Sequence, residues 1–326
     1  MRAAATARAN VALVKYWGNR DDERNVPATG SISVTLRDLT TRTEVVFQDG
    51  IPDSLQLDGA PASAEANRRV RVVLDLVRAA AGLRAGATVR SENDFPTGAG
   101  LASSASGFAA LALAASRAAG LALEPAALSA LARRGSGSAA RSVLGGFAEL
   151  AVGIEADGLD AVAEPLYDDS WPLAVLVVVT DPAPKAVTSA EGMRRTVATA
   201  PFYNGWLRAA PDDLAGMRAA IRDHDLPRLG ELAEHSCLKL HGLMLSTRPA
   251  LLYWNHTTLR VVQAVLELRR LGRFVYFTVD AGPQVKVLCA PGEAAGIRRE
   301  LAGIDGVQQV LSTGPGPGVL IEDLPA

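Results

Sequence analysis

The chain is poor in the residues that build redox and metal centres. It carries two cysteines, Cys237 and Cys289, in 326 residues. Their number and separation exclude a disulfide framework and a Cys-x-x-Cys metal site. The four histidines, His224, His235, His241 and His256, form no HExxH pattern, and His235 and His241 are spaced wrongly to share a helix face. Surface or satisfied core positions are their expected place. No sign of charge dominates either, because 33 Lys and Arg stand against 35 Asp and Glu, a formal charge of −2. That removes the basic footprint of a nucleic-acid or anionic-lipid binder, so an anionic ligand must be held by local groups. Residues 109–115 are strongly apolar, yet Arg117 and Gly120 close the run well short of a membrane span. The first ten residues carry arginine but no apolar core of signal-peptide length. A soluble cytoplasmic protein is the expectation.

What the chain does have is a run of small residues. Residues 96–107 read Pro-Thr-Gly-Ala-Gly-Leu-Ala-Ser-Ser-Ala-Ser-Gly, between a short extended segment and a long apolar helix. Gly98 and Gly100 remove the Cβ atoms that would block a bulky anion. A helix starting near Leu101 offers unpaired N–H groups and the positive end of its dipole. Ser103, Ser104 and Ser106 add hydroxyls for phosphate oxygens or a hydrated magnesium ion. Two known phosphate loops fail: no lysine follows as a Walker A loop requires, and no acidic residue lies between Ala105 and Leu123 for a dinucleotide fold. Taken alone, the segment leaves open an untyped phosphate loop and a helix start packed closely on a sheet.

Periodicity predicts strands at 11–14, 32–36, 43–47, 87–90, 145–152, 173–180, 274–279, 285–289 and 319–322. Helices are predicted at 67–81, 101–119, 126–134, 188–199, 211–223, 227–245, 256–271 and 293–302. A strand-rich half precedes a helix-rich half, which indicates α+β rather than strict alternation. Two domains are expected, 1–184 and 185–326, with the last strand returning to the second domain's sheet.

Four further clusters place polar residues in apolar or small-residue strings. Lys15 closes a buried strand in Asn10-Val-Ala-Leu-Val-Lys-Tyr-Trp-Gly18, a costly position unless an anion pairs with it; a snorkelling surface lysine is the other reading. Arg134-Gly-Ser-Gly-Ser-Ala-Ala-Arg141-Ser142 suits an oxyanion cradle or a plain loop. Ser189, in Lys185-Ala-Val-Thr-Ser-Ala-Glu-Gly-Met193, suits a helix cap or a ligand contact. Asp280 ends an apolar strand at Thr278-Val-Asp-Ala-Gly-Pro283, as a turn former or a functional acid.

Together these strings resemble the GHMP kinase superfamily and, within it, the mevalonate diphosphate decarboxylases. The resemblance spans nearly the whole chain, and Lys15-Tyr-Trp-Gly18 with Asp280-Ala-Gly-Pro283 separates this branch from the small-molecule kinases. It implies a two-domain fold, with a ribosomal-protein-domain-like N-terminal half, a ferredoxin-like C-terminal half and an active site in the cleft between them. It implies ATP and Mg2+, phosphorylation of a phosphorylated mevalonate on its 3-hydroxyl, and loss of phosphate and CO2 to give isopentenyl diphosphate. It further implies a homodimer, with neither nucleic acid nor membrane as partner.

By the same resemblance Asp280 is the catalytic acid residue near the 3-hydroxyl, as base or orienting group, and Lys15 neutralises the transferring phosphoryl group. Arg141 binds the substrate carboxylate. Tyr16, Asn19, Ser138, Ser189 and Met193 occupy substrate-contacting positions. Ser91, Asn93, Gly98, Gly100, Ser103 and Ser104 form the ATP site, with Mg2+ carried by the nucleotide near Ser104. The chain departs from the family pattern at Asn19, where a lysine that touches the substrate diphosphate is usual, and at Ala28-Thr-Gly-Ser31. The readings left open beside the diphosphate enzyme are a phosphomevalonate decarboxylase giving isopentenyl phosphate, a mevalonate 3-kinase and a non-catalytic GHMP-fold binding protein.

Overall fold

The computed structural model describes residues 1–95, 101–183 and 185–323. The chain opens with β1 (Arg2–Val14), β2 (Asn19–Asp21), β3 (Val26–Pro27), β4 (Ser31–Gln48), β5 (Ser54–Leu57), β6 (Ala60–Pro61), α1 (Ala64–Ala81) and β7 (Gly86–Asn93). It continues through α2 (Ser103–Ala118), α3 (Pro125–Gly135), α4 (Ala139–Ser142), β8 (Phe147–Leu150), β9 (Ala163–Tyr167) and β10 (Ala174–Val179). Then come α5 (Ser189–Thr199), α6 (Tyr203–Arg222), α7 (Leu226–Leu245), α8 (His256–Arg270), β11 (Val275–Val279), β12 (Val285–Cys289), α9 (Pro291–Ala302), β13 (Gln309–Thr313) and β14 (Leu320–Glu322).

The first sheet runs β14-β1-β4-β7-β5-β6, with β8 attached to β4 and β9 to β8. The second is antiparallel, in the order β11-β12-β10-β13. α2 lies on β1 and β4 of the first sheet, buried nearly all round through Ala105, Ala109, Ala112 and their neighbours. Alanine on both the helix and β1 lets the two backbones approach closely, and no large side chain holds them apart. α1 shows why its sequence folds locally: Ser63 caps its start, Gly82 ends it at φ 66°, and Val70, Val73, Leu74 and Val77 face the core. In the second sheet β10, β11 and β12 are buried throughout, as strands covered on both faces must be.

The structure differs from the sequence expectation in specific places. The segments expected at 32–36 and 43–47 are one 18-residue strand, and β1 reaches back to Arg2. The start of β1 was hidden because Ala3, Ala5 and Ala7 bury as small residues and give no strong hydrophobic alternation. α6 begins at Tyr203 and continues through Pro211, which had been read as its start. β14 joins β1, with Ala4 opposite Glu322, and does not join the second sheet. Its side chains explain the choice: Leu320 and Ile321 are half exposed, while Glu322 accepts hydrogen bonds from Thr6 and Arg42 of the first sheet. β10, which precedes residue 184, pairs with β12 and β13.

Two glycines of α7 provide a test of packing. A Cβ on Gly230 would overlap the buried Tyr276 ring, whereas one on Gly242 meets nothing. Gly230→Ala should cost about 1–3 kcal/mol through overpacking, net of a helix-propensity gain of up to ~1 kcal/mol. Gly242→Ala should gain about 0.5–1 kcal/mol. Urea unfolding of both variants checks this, and equal effects of the two would refute the close approach of α7 to β11.

Candidate active site

The two sheets meet where their strands end. β1 gives way to Lys15, β11 gives way to Asp280, and Lys15 Nζ lies 2.6 Å from Asp280 Oδ1. Register shifts in the β1–β4 pairing between Arg8 and Asn10 and between Ala12 and Val14 twist the strand just before this point. The Lys15 ammonium also donates to Ala12 O at 2.8 Å, and its backbone N–H donates to Ser236 Oγ of α7 at 2.9 Å. Lys286 of β12 takes the other oxygen, with Nζ 3.1 Å from Oδ2. Burial by itself would raise the Asp280 carboxyl, but Lys15 and Lys286 outweigh it and hold the group well below the usual carboxylate range.

Asp280 opens on a cleft of about 410 Å³ lined also by Asn10, Lys15, Tyr16, Arg141 and Lys185. Arg141 is 1% exposed, and its fork donates to Ser33 Oγ at 2.9 Å, to Ser31 Oγ and to Asn10 Oδ1 at 3.4 Å. Among the described residues no carboxylate pairs with it. Burial pulls its guanidinium down to about 10, so it stays charged at neutral pH and lacks an anion. The lining residues carry four cations, Lys15, Arg69, Arg141 and Lys185, against Glu65 and Asp280. The cleft is therefore locally positive in a chain of net charge −2.

A smaller pocket of about 140 Å³ adjoins the cleft and shares Arg69, Ser103 and Ser104 with it. Leu55, Leu57, Val89, Phe108 and Leu111 make its walls apolar, and Ser91 and Asn93 supply polar groups. Between the two spaces stands the start of α2, whose N-cap Ala102 has φ 63° and no side-chain cap. A left-handed alanine at a cleft wall is strained backbone, of the kind found at ligand sites. Ser104, Ser136 and Ser138 link the spaces as a hydroxyl chain at 3.4 Å per step.

The sequence candidates divide as follows. Lys15, Tyr16, Ser103, Ser104, Ser138, Arg141, Ser189, Met193 and Asp280 all line the cleft, while Ser91 and Asn93 line the adjoining pocket. Gly98 and Gly100 lie outside the described residues. Asn19 is not on the cleft wall; it accepts from the Tyr16 hydroxyl and donates to Asp22 Oδ1 at 3.0 Å. Ser189 is not the cap of α5. Thr188 fills that role, and Ser189 Oγ instead accepts from Lys185 Nζ at 2.7 Å. His241 is a satisfied core residue whose Nε2 faces Trp254 Nε1 at 3.0 Å and Val279 O at 3.2 Å. Burial pushes it down to about 4, so it is neutral at physiological pH.

Sequence reasoning missed Lys185, Lys286, Arg69 and Asn10 as site residues. Lys286 had a readable signal, since it is the one charge inside the apolar string Val285–Cys289. Arg69 had none, because it sits in an arginine-rich helical turn and only the fold shows that it stacks on Phe108 and spans both pockets.

Two family models match the chain, the diphosphomevalonate decarboxylase-like N-terminal domain at residues 7–163 and the mevalonate 5-diphosphate decarboxylase C-terminal domain at residues 175–303. Diphosphomevalonate decarboxylase of Gibberella zeae is 37% identical over 86% of this chain and 79% of its own length. The human enzyme of that name is 36% identical over 86% and 75%, and the Candida albicans one 34% over 97% and 96%. Among solved structures, MDDEF in complex with MVAPP, AMPPCP and magnesium superposes with a TM-score of 0.93 at 39% identity, covering 99% of both chains. Mevalonate diphosphate decarboxylase from Staphylococcus aureus gives 0.92 at 39%, covering 99% and 98%.

Lys185 generates a pH prediction. Burial pulls its ammonium down to about 8, against the opposing pull of Asp280. An incoming polyphosphate favours the charged form, so binding takes up a proton once the free lysine has begun to deprotonate. Affinity for ATP should then fall above pH ~8, by up to about tenfold per unit. Lys185→Met should bind more weakly at neutral pH and lack that fall. Isothermal titration across this range decides it; matching pH slopes in the two proteins would rule out Lys185 as the source.

Proposed function

The chain belongs to the diphosphomevalonate decarboxylase family, and from that premise we propose that it converts mevalonate 5-diphosphate and ATP, with Mg2+, to isopentenyl diphosphate, ADP, phosphate and CO2. The observation that carries the reading is the pairing of two opposite features across one cleft. Asp280 is ionised and fixed by lysines, and Arg141 is a buried cation without an anion of its own. A substrate that offers a hydroxyl to the first and a carboxylate to the second fits both.

In this reading the nucleobase occupies the apolar pocket beside Ser91 and Asn93, and the triphosphate passes the start of α2 at Ser103 and Ser104 towards Lys15 and Lys185. Mg2+ carried with the nucleotide would be held beside Ser104 and would neutralise charge on the phosphate oxygens. Asp280 orients the 3-hydroxyl for in-line attack on the γ-phosphorus; as the new O–P bond forms, the bond to the departing ADP breaks, and the hydroxyl proton leaves late in the transfer by way of the carboxylate to solvent. A carboxylate held so far below its ordinary range is a weak base, and a loose phosphoryl transfer asks more for alignment and charge neutralisation than for basicity. Lys15 meets the charge on the transferring group. Once formed, the 3-phosphate leaves with its bonding pair, and the electrons of the C–CO2 bond close the double bond. Arg141, with Ser138 and Asn10 beside it, holds the carboxylate until it departs as CO2. Tyr16, Ser189 and Met193 shape the rest of the substrate wall.

A second reading has a specific observation behind it. Asn19, where the family usually has a cation, is tied to Tyr16 and to acidic Asp22. That weakens the grip on a terminal phosphate and favours mevalonate 5-phosphate as substrate, with isopentenyl phosphate as product. The resemblance also supports a homodimer, which light scattering of the purified protein reads directly, and a division into domains 1–184 and 185–326.

Purified protein given ATP, Mg2+ and mevalonate, its 5-phosphate or its 5-diphosphate should release CO2 and ADP together, fastest with the diphosphate. Faster release from the monophosphate would select the second reading, and ADP without CO2 would leave only a kinase. Asp280→Asn should lower kcat by about 10²–10⁴-fold with ATP binding kept; an active variant would sink its role. Asn19→Lys should improve kcat/KM for the diphosphate relative to the monophosphate by about tenfold or more, the worth of one charge-assisted contact.

A further inference from the structure

Lys286 sits in the middle of β12, 3% exposed, with Val285 and Val287 on either side. It does not line the cleft. Packing alone is better served at such a position by an apolar side chain, because an ammonium taken out of water costs several kcal/mol before any partner repays it. The partner is Asp280 Oδ2 at 3.1 Å, on the oxygen that Lys15 leaves free. Pairing of β11 with β12 sets this geometry, with Thr278 opposite Lys286 and Val279 opposite Val285. The clamp therefore comes from a strand bonded to the one that delivers Asp280, while Lys15 comes from the other sheet.

We propose that Lys286 is a positioning residue for the reaction: it fixes Oδ2 of Asp280, so that the carboxylate plane is set by two ammoniums, one just past the end of β1 and one within β12, before any ligand arrives. The inference rests on the assignment of Asp280 made above. A single lysine contact lets a carboxylate swing about that one bond, whereas two contacts on its two oxygens define the plane. A misplacement of about 1 Å at a reacting group can cost on the order of 10²-fold in rate. Lys286 also offsets the burial of Asp280 and supports its ionised form. The other charged or titratable groups around Asp280 are Lys15 just after β1, Arg141 of α4, Lys185 ahead of α5, and Cys237 and His241 of α7. Burial holds Cys237 up to about 11 and His241 down to about 4, so neither changes charge near neutral pH, and Asp280 stays ionised throughout that range.

The test compares full-length wild type, Lys286→Met and Lys286→Arg by kcat and KM for both substrates at neutral pH, with thermal unfolding as the check on folding. Lys286→Met should lower kcat by about 30–100-fold and leave both KM values within about threefold. Removing a cation beside a carboxylate raises its pKa, so the Asp280 carboxyl of this variant should titrate at a higher pH than in the wild type. Lys286→Arg keeps the charge and should restore most of kcat. A folded Lys286→Met with kcat within threefold of wild type would overturn the proposal. So would a lower kcat matched by a rise in KM, or one that Lys286→Arg does not recover, the signature of lost packing. Where Met is not tolerated, Lys286→Gln reads the same quantities. Carbon-13 titration of the Asp280 carboxyl, assigned with Asp280→Asn, reads the shift without turnover, so the clamp and the proposed reaction can fail separately.

Discussion

The site depends on one ion pair, Lys15 to Asp280, which is also one of the points where the two sheets are joined. Lys15 is almost wholly buried at the end of β1, and Asp280 ends β11 in the other sheet. Each charge would be prohibitive in such surroundings without the other. The pair thus fixes the width of the cleft and presents an ionised carboxylate to it in the same contact. Tyr16, Trp17 and Gly18, which follow Lys15, continue the joint: Trp17 Nε1 donates to Thr196 of α5 at 3.0 Å, and its carbonyl accepts from Trp206 of α6 at 3.1 Å. A displacement of β1 relative to the helices would have to break these bonds along with the ion pair.

Charge is distributed in the cleft as the chemistry of a polyanionic donor and a carboxylate acceptor requires. A global positive field would serve badly here, because it would attract every nucleic acid and phosphate alike. Apart from Lys15, which pairs with Asp280, the cleft holds its cations singly, on backbone, hydroxyl or amide oxygens that satisfy the donors without neutralising the charge. Arg141 is held by Ser31, Ser33 and Asn10, and Lys185 by Ser189 and the Ala281 carbonyl. Arg69 donates twice to the Gly135 carbonyl and stacks on Phe108. Among the described residues these groups have no carboxylate in a salt bridge with them, a state that a bound anion relieves.

Much of this was legible in the sequence, for physical reasons that can be named. Lys15, Arg141 and Asp280 stood out because each interrupts a string of apolar or small residues, and an interruption of that kind must be compensated in the fold. The serines of α2 were visible as a helix start too polar for its apolar continuation. Less visible were features that depend on pairing at a distance. β1 begins as alternating alanines whose burial comes from α2, a helix about a hundred residues later. β14 chose the first sheet through Glu322 meeting Arg42 and Thr6, a match that no local pattern announces. Ser189 looked like a cap, and only the position of Lys185 and the priority of Thr188 show otherwise.

The same reasoning explains why Asn19 behaves differently from the other candidates. Lys15, Arg141 and Asp280 are located by burial, so the fold has little freedom to place them elsewhere. Asn19 stands in a two-stranded ribbon, only partly buried, and satisfies its amide with Tyr16, Asp22 and Asn25. An amide there costs the fold nothing, since Tyr16, Asp22 and Asn25 satisfy it without help from the core. On the proposed reading, the residues assigned to the reaction are thus fixed by the core, whereas the residue proposed to grade the length of the substrate's phosphate tail is free of it. If that proposal holds, chemistry and selectivity are separable in this architecture, and a change in the ribbon alters which phosphorylated mevalonate is preferred while the ion pair at the centre stays as it is.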